Sequence, residues 1–435
     1  ASPTQVTISA PSGTIYYTLD GTDPRLPANS TSGSNLISPH ALMYDGGSIS
    51  ISTTTTVKAR ALVGTNWSGL EEQEYIAEQP ATALNLALGE INFNPHDPDV
   101  LQGDLPGSNN DDYEFVEFVN KGGNAINLNN VQFTDGIDFT FGNVVLVPGQ
   151  RVVVVKNQAA FETRYGTGIN VAGVFAAGGL SNAGEQLKVI DATGTDIVDF
   201  SFDDNDPWPE RADGHGGTLE LNDVNTTLNA DYHKWYHWRG STEYGGSPGT
   251  AGVGPLGVVV NEVLTNTTSP VVRSDSIELL NTSTGIVNLG GWYLSDSSNQ
   301  YLKYEIPAGT TLNPGQYLVF DEGDFNPTPL APAPDDFALS GSAGDDVWLF
   351  APDGGGSGIP WIIDDVHFEA ASNGETFGRF PNGIGRFIPL LTETLGTQNS
   401  VPRVGPLVIS EVQYHPSSPS TAALQLDSNV SAEDL

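Results

Sequence analysis

Cysteine is absent from this 435-residue chain, and methionine occurs once, at Met43. Without cysteine there is no disulfide, no thiolate nucleophile and no cysteine-ligated zinc. A cytosolic chain of this length ordinarily carries a few cysteines, so their absence points towards export. Basic residues are scarce too: 16 Lys and Arg face 53 Asp and Glu, for a formal net charge of -37. Phosphate backbones and anionic membranes repel such a chain, which argues against nucleic acid and favours divalent cations. The acids are spread along the chain, so this is no acidic disordered tail. No apolar run reaches the roughly 18 residues of a membrane span, and no membrane insertion is expected. A signal peptide is missing as well, and Ala1-Ser2-Pro3-Thr4 reads as the start of a trimmed or excised chain. Helical periodicity is almost absent, its best candidate being a turn or two around Gln158–Arg164.

What is present is the material of β-structure. Hydrophobic residues make up 38% of the chain and aromatics 9%, enough for ordinary cores. At about 100–200 residues per domain, the length suggests roughly two to four domains. Gly (50) and Pro (29) punctuate short runs such as Val152-Val153-Val154-Val155, Val258-Val259-Val260 and Tyr317-Leu318-Val319-Phe320. Apolar runs this short, bounded by turn residues, are buried strands. The fold class expected is all-β, as sandwiches in tandem.

An internal repeat organises the chain. Gly89-Glu90-Ile91-Asn92-Phe93-Asn94-Pro95 matches Ser410-Glu411-Val412-Gln413-Tyr414-His415-Pro416, with Asn261-Glu262-Val263 between them. Glu117-Phe118-Val119-Asn120 parallels Glu278-Leu279-Leu280-Asn281, and Ile126-Asn127-Leu128 parallels Val287-Asn288-Leu289. Val147-Pro148-Gly149-Gln150 parallels Asn313-Pro314-Gly315-Gln316, and Asn182-Ala183-Gly184-Glu185 parallels Ser342-Ala343-Gly344-Asp345. Landmarks recurring in one order mean tandem homologous domains.

The content of the repeat resembles the lamin tail domain. The carrying residues are Asn261-Glu262-Val263, Ile277-Glu278-Leu279-Leu280-Asn281, Asn288-Leu289-Gly290-Gly291-Trp292-Tyr293-Leu294-Ser295-Asp296 and Leu312-Asn313-Pro314-Gly315-Gln316-Tyr317-Leu318-Val319. The earlier copy departs at Asn129-Asn130-Val131, in place of Gly-Gly-Trp, but keeps the order and turns. This resemblance implies Ig-like β-sandwiches of a kind found in nuclear lamins and in secreted bacterial proteins. The N-terminal segment differs: Gly13-Thr14-Ile15-Tyr16-Tyr17-Thr18-Leu19-Asp20-Gly21-Thr22-Asp23-Pro24 is followed by Thr54-Thr55-Thr56-Val57-Lys58-Ala59-Arg60-Ala61. This pairing is similar to the small Ig-like domain at the C-terminus of chitobiases and β-hexosaminidases. The expected division is therefore 1–79, 85–252 and 257–402, with 403–435 carrying the opening strand of a third, incomplete module, Leu407–Val412. That strand has nothing to pair with before Leu435, so the natural chain is expected to continue, or else the strand adds to a neighbouring copy.

Candidate chemistry starts with carboxylates. Glu90/Glu117 and Glu262/Glu278 recur in both copies and fit adjacent strands. Such a pair can share a proton or a cation, but repetition favours a fold-determining acid bonded to backbone amides or to Lys/Arg. Gly245-Gly246-Ser247-Pro248-Gly249 fits a hydrolase elbow in letters only, because Pro248 and Gly249-Thr250-Ala251-Gly252 cannot start the required helix. It reads as a linker turn at a domain boundary. None of the seven histidines forms a zincin pair. For calcium, Asp203, Asp204, Asp206 and Asp213 offer several oxygens in one loop, with Trp208 held between two prolines. Asp104 with Asn109-Asn110-Asp111-Asp112 is a weaker acidic cluster. For polysaccharide, Tyr232, Trp235, Tyr236 and Trp238 form the densest aromatic patch, an alternative being an aromatic strand or loop that seals the sandwich.

The function expected is a non-catalytic structural or adhesive role at an extracellular cell surface, in a longer bacterial protein that assembles into a layer or filament. Its expected partners are other copies of itself or neighbouring surface proteins, with polysaccharide as a further ligand. The alternative is an accessory, carbohydrate-binding or spacer region of a larger secreted enzyme.

Overall fold

The computed structural model describes residues 4–27, 36–75, 77–268, 274–353 and 360–404, together with 418, 421 and 424. The opening strand expected at 407–412 lies outside the described residues. Regular structure is overwhelmingly strand, arranged as tandem Ig-like β-sandwiches. Among the described residues no helix is long and apolar enough to cross a membrane. Two compact units are formed: residues 1–257 with 289–310 and 348–365, and residues 258–288 with 311–347 and 366–435.

In the N-terminal module, Thr14–Thr18 pairs with both Leu42–Met43 and Thr55–Val63. Alternation along Thr55–Val63 turns Val57 and Ala59 inwards, where Val57 joins Val6, Ile49 and Ile51 in a small core. Arg60 takes the opposite face and grips Asp23 with two bonds of 2.8 and 2.7 Å.

The first homologous sandwich is built on strands β1 (Leu86–Asn92), β2 (Phe115–Asn120), β3 (Arg151–Val155), β4 (Val171–Val174), β5 (Leu219–Leu221) and β6 (Trp238–Gly240). They lie side by side in the order β4-β3-β2-β1-β5-β6. A second sheet of Gln132–Asp135, Glu185–Ile190 and Asp196–Phe202 closes the core, with Leu88, Phe118 and Val154 in one cluster with Leu187, Val198 and Phe200. The all-valine stretch of β3 is covered on both faces, as a continuous apolar run demands. Val152 and Val154 face the main core, while Val153 and Val155 meet Phe161 of the helix α1 (Gln158–Tyr165). This helix sits where the sequence places its one helical turn. Asn157 caps it, accepting the amides of Ala159 and Ala160.

The second copy repeats the order. Its strands β7 (Val258–Leu264), β8 (Ser276–Asn281), β9 (Tyr317–Asp321), β10 (Thr376–Phe380) and β11 (Arg386–Pro389) run β9-β8-β7-β10-β11, matching β3-β2-β1-β5-β6. Repetition reaches single hydrogen bonds. Asn120 Nδ2 donates to the carbonyls of Asn124 and Leu146, both at 2.8 Å, and Asn281 Nδ2 donates to those of Gly285 and Leu312, both at 2.8 Å. The amides of Gly149 and Gly315 return to the carbonyls of Asn120 and Asn281 at 2.9 and 2.8 Å. Capping is repeated as well, with Asp321 taking the place of Asn157.

Candidate functional site

The repeated acids stand directly opposite one another. Glu117 pairs with Glu90 across β2 and β1, and Glu278 with Glu262 across β8 and β7, each beside a β-bulge. All four are buried. They lie on the sheet face turned away from the main core, and a closing segment from the end of each module covers them. In the first copy Glu90 Oε1 accepts the Ser247 amide at 2.9 Å and Glu117 Oε2 accepts the Gly249 amide at 2.5 Å. In the second, Glu262 Oε1 accepts the Thr394 amide at 2.9 Å and Glu278 Oε2 accepts the Gly396 amide at 2.5 Å. The reading of these acids as bonded to backbone amides and to Arg is met: Arg151 also pairs with Glu117. The reading of Gly245–Gly249 as a linker turn is corrected, because its amides and the Ser247 hydroxyl are bonded into the sandwich interior.

Three participants escape a sequence reading. Glu220 lies on β5, with Arg239 of β6 bonded to its Oε2 at 3.0 and 2.8 Å, and its Oε1 accepts the Ser247 hydroxyl at 2.7 Å. Thr218 donates its hydroxyl to Glu90 Oε1 at 2.5 Å. The signal that could have found the closing segments is Ser247-Pro248-Gly249-Thr250 against Thr394-Leu395-Gly396-Thr397, a hydroxyl residue two before Gly and three before Thr. In both, the last threonine amide bonds back to the first residue's carbonyl, at 3.0 and 2.9 Å.

Electrostatics follow from burial. Desolvation, then the charges of Glu220 and Glu117, push Glu90 well above the usual carboxylate range. Burial raises Glu117 to about 7 against the opposing pull of Arg151, and raises Glu278 to about 7 against Asn261 and the Gly396 amide. Glu262 is raised by the same cause. The space beside Glu90, bounded by Arg151, Glu220 and Ser247 among others, is about 10 Å³, room for at most one water. A general acid or base must touch a proton of its substrate, and no substrate group enters a space of that size.

The other expected sites are placed differently. Asp203 Oδ1 accepts the amide and side chain of Asn205 at 3.0 and 2.9 Å, Asp204 accepts the same side chain at 2.6 Å, and Asp213 accepts Asn94 at 2.6 Å. With Asp206 included, these four carboxylates are not gathered within one ion's reach among the described residues. The loop is an asparagine-bonded turn, and Trp208 packs as a plug on the sandwich core. Asp104 is taken by Arg164, at 3.0 and 2.7 Å, and the neighbouring Asn109 and Asp112 form a capping box. The aromatic patch is no strand: short 3-10 turns at Asn229–Asp231 and Trp235–His237 precede β6. Tyr232 and Trp238 are 0% and 4% exposed, and Trp238 stacks on Phe200 with centroids 5.4 Å apart, so neither can touch a sugar. Trp235 and Tyr236 remain outside, at 40% and 54% exposure.

A family model, the Lamin Tail Domain, matches residues 98–204 and 254–364. A second, the Chitobiase/beta-hexosaminidase C-terminal domain, matches residues 1–69. The first includes Glu117, Glu262 and Glu278, while Glu90 and both closing segments lie outside its two matches. No curated protein matches the chain, and no solved structure does.

Proposed function

The chain belongs to the lamin tail domain family, and from that premise we propose that it is a non-catalytic structural or adhesive region, working at an extracellular surface as part of a longer protein. One observation carries the reading. The repeated acids, the chemistry-bearing residues common to both copies, are bonded to backbone amides and buried away from solvent. Their role is to close sandwiches. The high acidity and the lack of cysteine suit a chain exposed to solvent and oxidant. Its partners would be further copies of itself or neighbouring surface proteins. The test is surface shaving: intact cells that make the natural chain are treated with protease, and released peptides are identified. Peptides from 85–402 released without lysis support the reading, whereas protection until lysis overturns it.

A second reading, an accessory carbohydrate-binding region of a larger secreted enzyme, is favoured by a groove of about 480 Å³ in the N-terminal module, lined by Ile8, Ile15, Arg60 and Trp67 among others. The exposed Trp235 and Tyr236 add to it. Co-sedimentation with insoluble chitin, lost in Trp67→Ala or Trp235→Ala, would favour this reading over the first.

A further inference from the structure

Hydrogen counting in the two carboxylate clusters leads beyond a static role, and does so independently of where the protein works. In the first copy Glu90, Glu117 and Glu220 face the two guanidiniums of Arg151 and Arg239, bonded to Glu117 and Glu220 respectively. The Ser247 hydroxyl has one hydrogen, and Glu220 Oε1 lies 2.7 Å away to accept it. Glu90 Oε2 lies 3.4 Å from the same oxygen. Unless Glu90 brings a hydrogen of its own, that approach sets lone pair against lone pair in a dry interior. In the second copy Glu262 and Glu278 are directly opposed, and Tyr317 occupies the register position of Arg151, facing Leu280 as Arg151 faces Val119. There, however, Glu262 Oε1 accepts the Thr394 amide at 2.9 Å, its Oε2 accepts the Thr394 hydroxyl at 2.7 Å, and Thr376 stands beside it as a further donor, so its count calls for no added hydrogen.

We propose that the first closing segment is a pH-sensitive latch: Glu90 holds a proton in the shut state, and its loss frees residues 245–252 from the sheet. Two ionised carboxylates on adjacent strands repel most strongly where water is excluded, and the closing segment is what excludes it. Lifting that segment hydrates both acids. The titratable and charged groups facing Glu90 are Glu117, Glu220, Arg151, Arg239 and, from α1, Tyr165. The raised carboxyl of Glu90 agrees in direction.

Hydrogen exchange on the full chain at about pH 5.5 and 8.5, corrected for intrinsic rates, tests this. Protection of 245–252 should fall at least about tenfold at the higher pH, with Glu185–Ile190 and β8 holding theirs. Glu90→Gln imitates the protonated acid, keeping an oxygen for the amide and adding a hydrogen for the neighbouring hydroxyl. It should keep 245–252 protected at pH 8.5. Glu220→Gln, which leaves two acids facing two guanidiniums, should hold the latch by a different route and decides the matter if Glu90→Gln does not fold. Protection that is equal at both pH values, or lost evenly over all strands, overturns the proposal. So does a folded Gln variant that loses protection as the parent does.

Discussion

Glu117 and Glu278 carry 0% exposed surface, each accepts a glycine amide, and burial pushes each carboxyl up to about 7. Glu114, buried and bonded by the Leu180 amide, is raised to about 7 by the same cause. Their unfolded value is 4.5, so between pH 4.5 and 7 the native state holds protons that the unfolded chain has released. Stability therefore falls as pH rises through that window. Asp23, held low by Arg60, and Asp104, held low by Arg164 despite its burial, act the other way: their contribution is present above 3.8 and is lost as pH falls below it. The thermal midpoint should accordingly be higher near pH 5.5 than near pH 8, by about 5 °C, and drop again in stronger acid. Calorimetry across that range checks the sign; a midpoint that rises steadily to pH 8 would mean that these buried acids ionise freely. Glu117 and Glu278 were legible in the sequence because they repeat in register. Glu220 was not, since Leu219-Glu220-Leu221 is the ordinary alternation of a strand whose acid faces water. Here the closing segment covers that second face, and an acid expected in solvent becomes a buried anchor.

At the scale of elements, the strands were readable and the closing segments were not. Short apolar runs between turn residues located β3, β7 and β9, the repeat marked β1, β2 and β8, and the helical turn fell where α1 forms. Non-regular backbone carries no periodicity, so Gly245–Gly249 read as a linker turn and Thr394–Thr397 went unmarked, although their amides anchor both sandwiches. The aromatic segment before β6 failed for a related reason: turns set Trp235 and Tyr236 outside and Tyr232 and Trp238 inside, a division that strand alternation does not produce. The closing turns also depend on backbone conformation. Gly249 and Gly396 both adopt φ of 87°, a region that side chains avoid. A Cβ on Gly396 would meet no atom within 4 Å, so Gly396→Ala isolates the conformational penalty. It should destabilise the protein by about 1 kcal/mol or slightly more, read from denaturant midpoints. An unchanged midpoint would show that the turn is not held in this conformation in solution.

On the scale of the molecule, residues 289–310 and 348–365 belong to the same compact unit as residues 1–257. Arg211 is the central tie within that unit. Its Nε donates to Asp365 at 2.6 Å, and its Nη1 donates to the carbonyls of Ser241 and Ile362 at 3.2 and 3.0 Å. Next to it, the Ile362 amide bonds to the Thr242 carbonyl at 2.7 Å, and Glu243 bridges to Trp361. Aromatic contacts extend the seam, Tyr244 to Tyr301 at 5.7 Å and Tyr301 to Phe350 at 5.8 Å. Arg211 and Asp365 are only 11% and 15% exposed, so their pairing is shielded from salt and loses much if one partner is removed. Arg211→Ala should cost about 3 kcal/mol, and more than Asp365→Ala, because the arginine also satisfies two carbonyls. In the double variant the two effects should fall short of additive, since the shared bond is lost only once. Hydrogen exchange should then localise the damage, with the Ile362 amide among those exposed. Equal single effects would show that the two carbonyl bonds add nothing to the ion pair, while strict additivity would show that the aromatic contacts, rather than the ion pair, hold these segments in the unit.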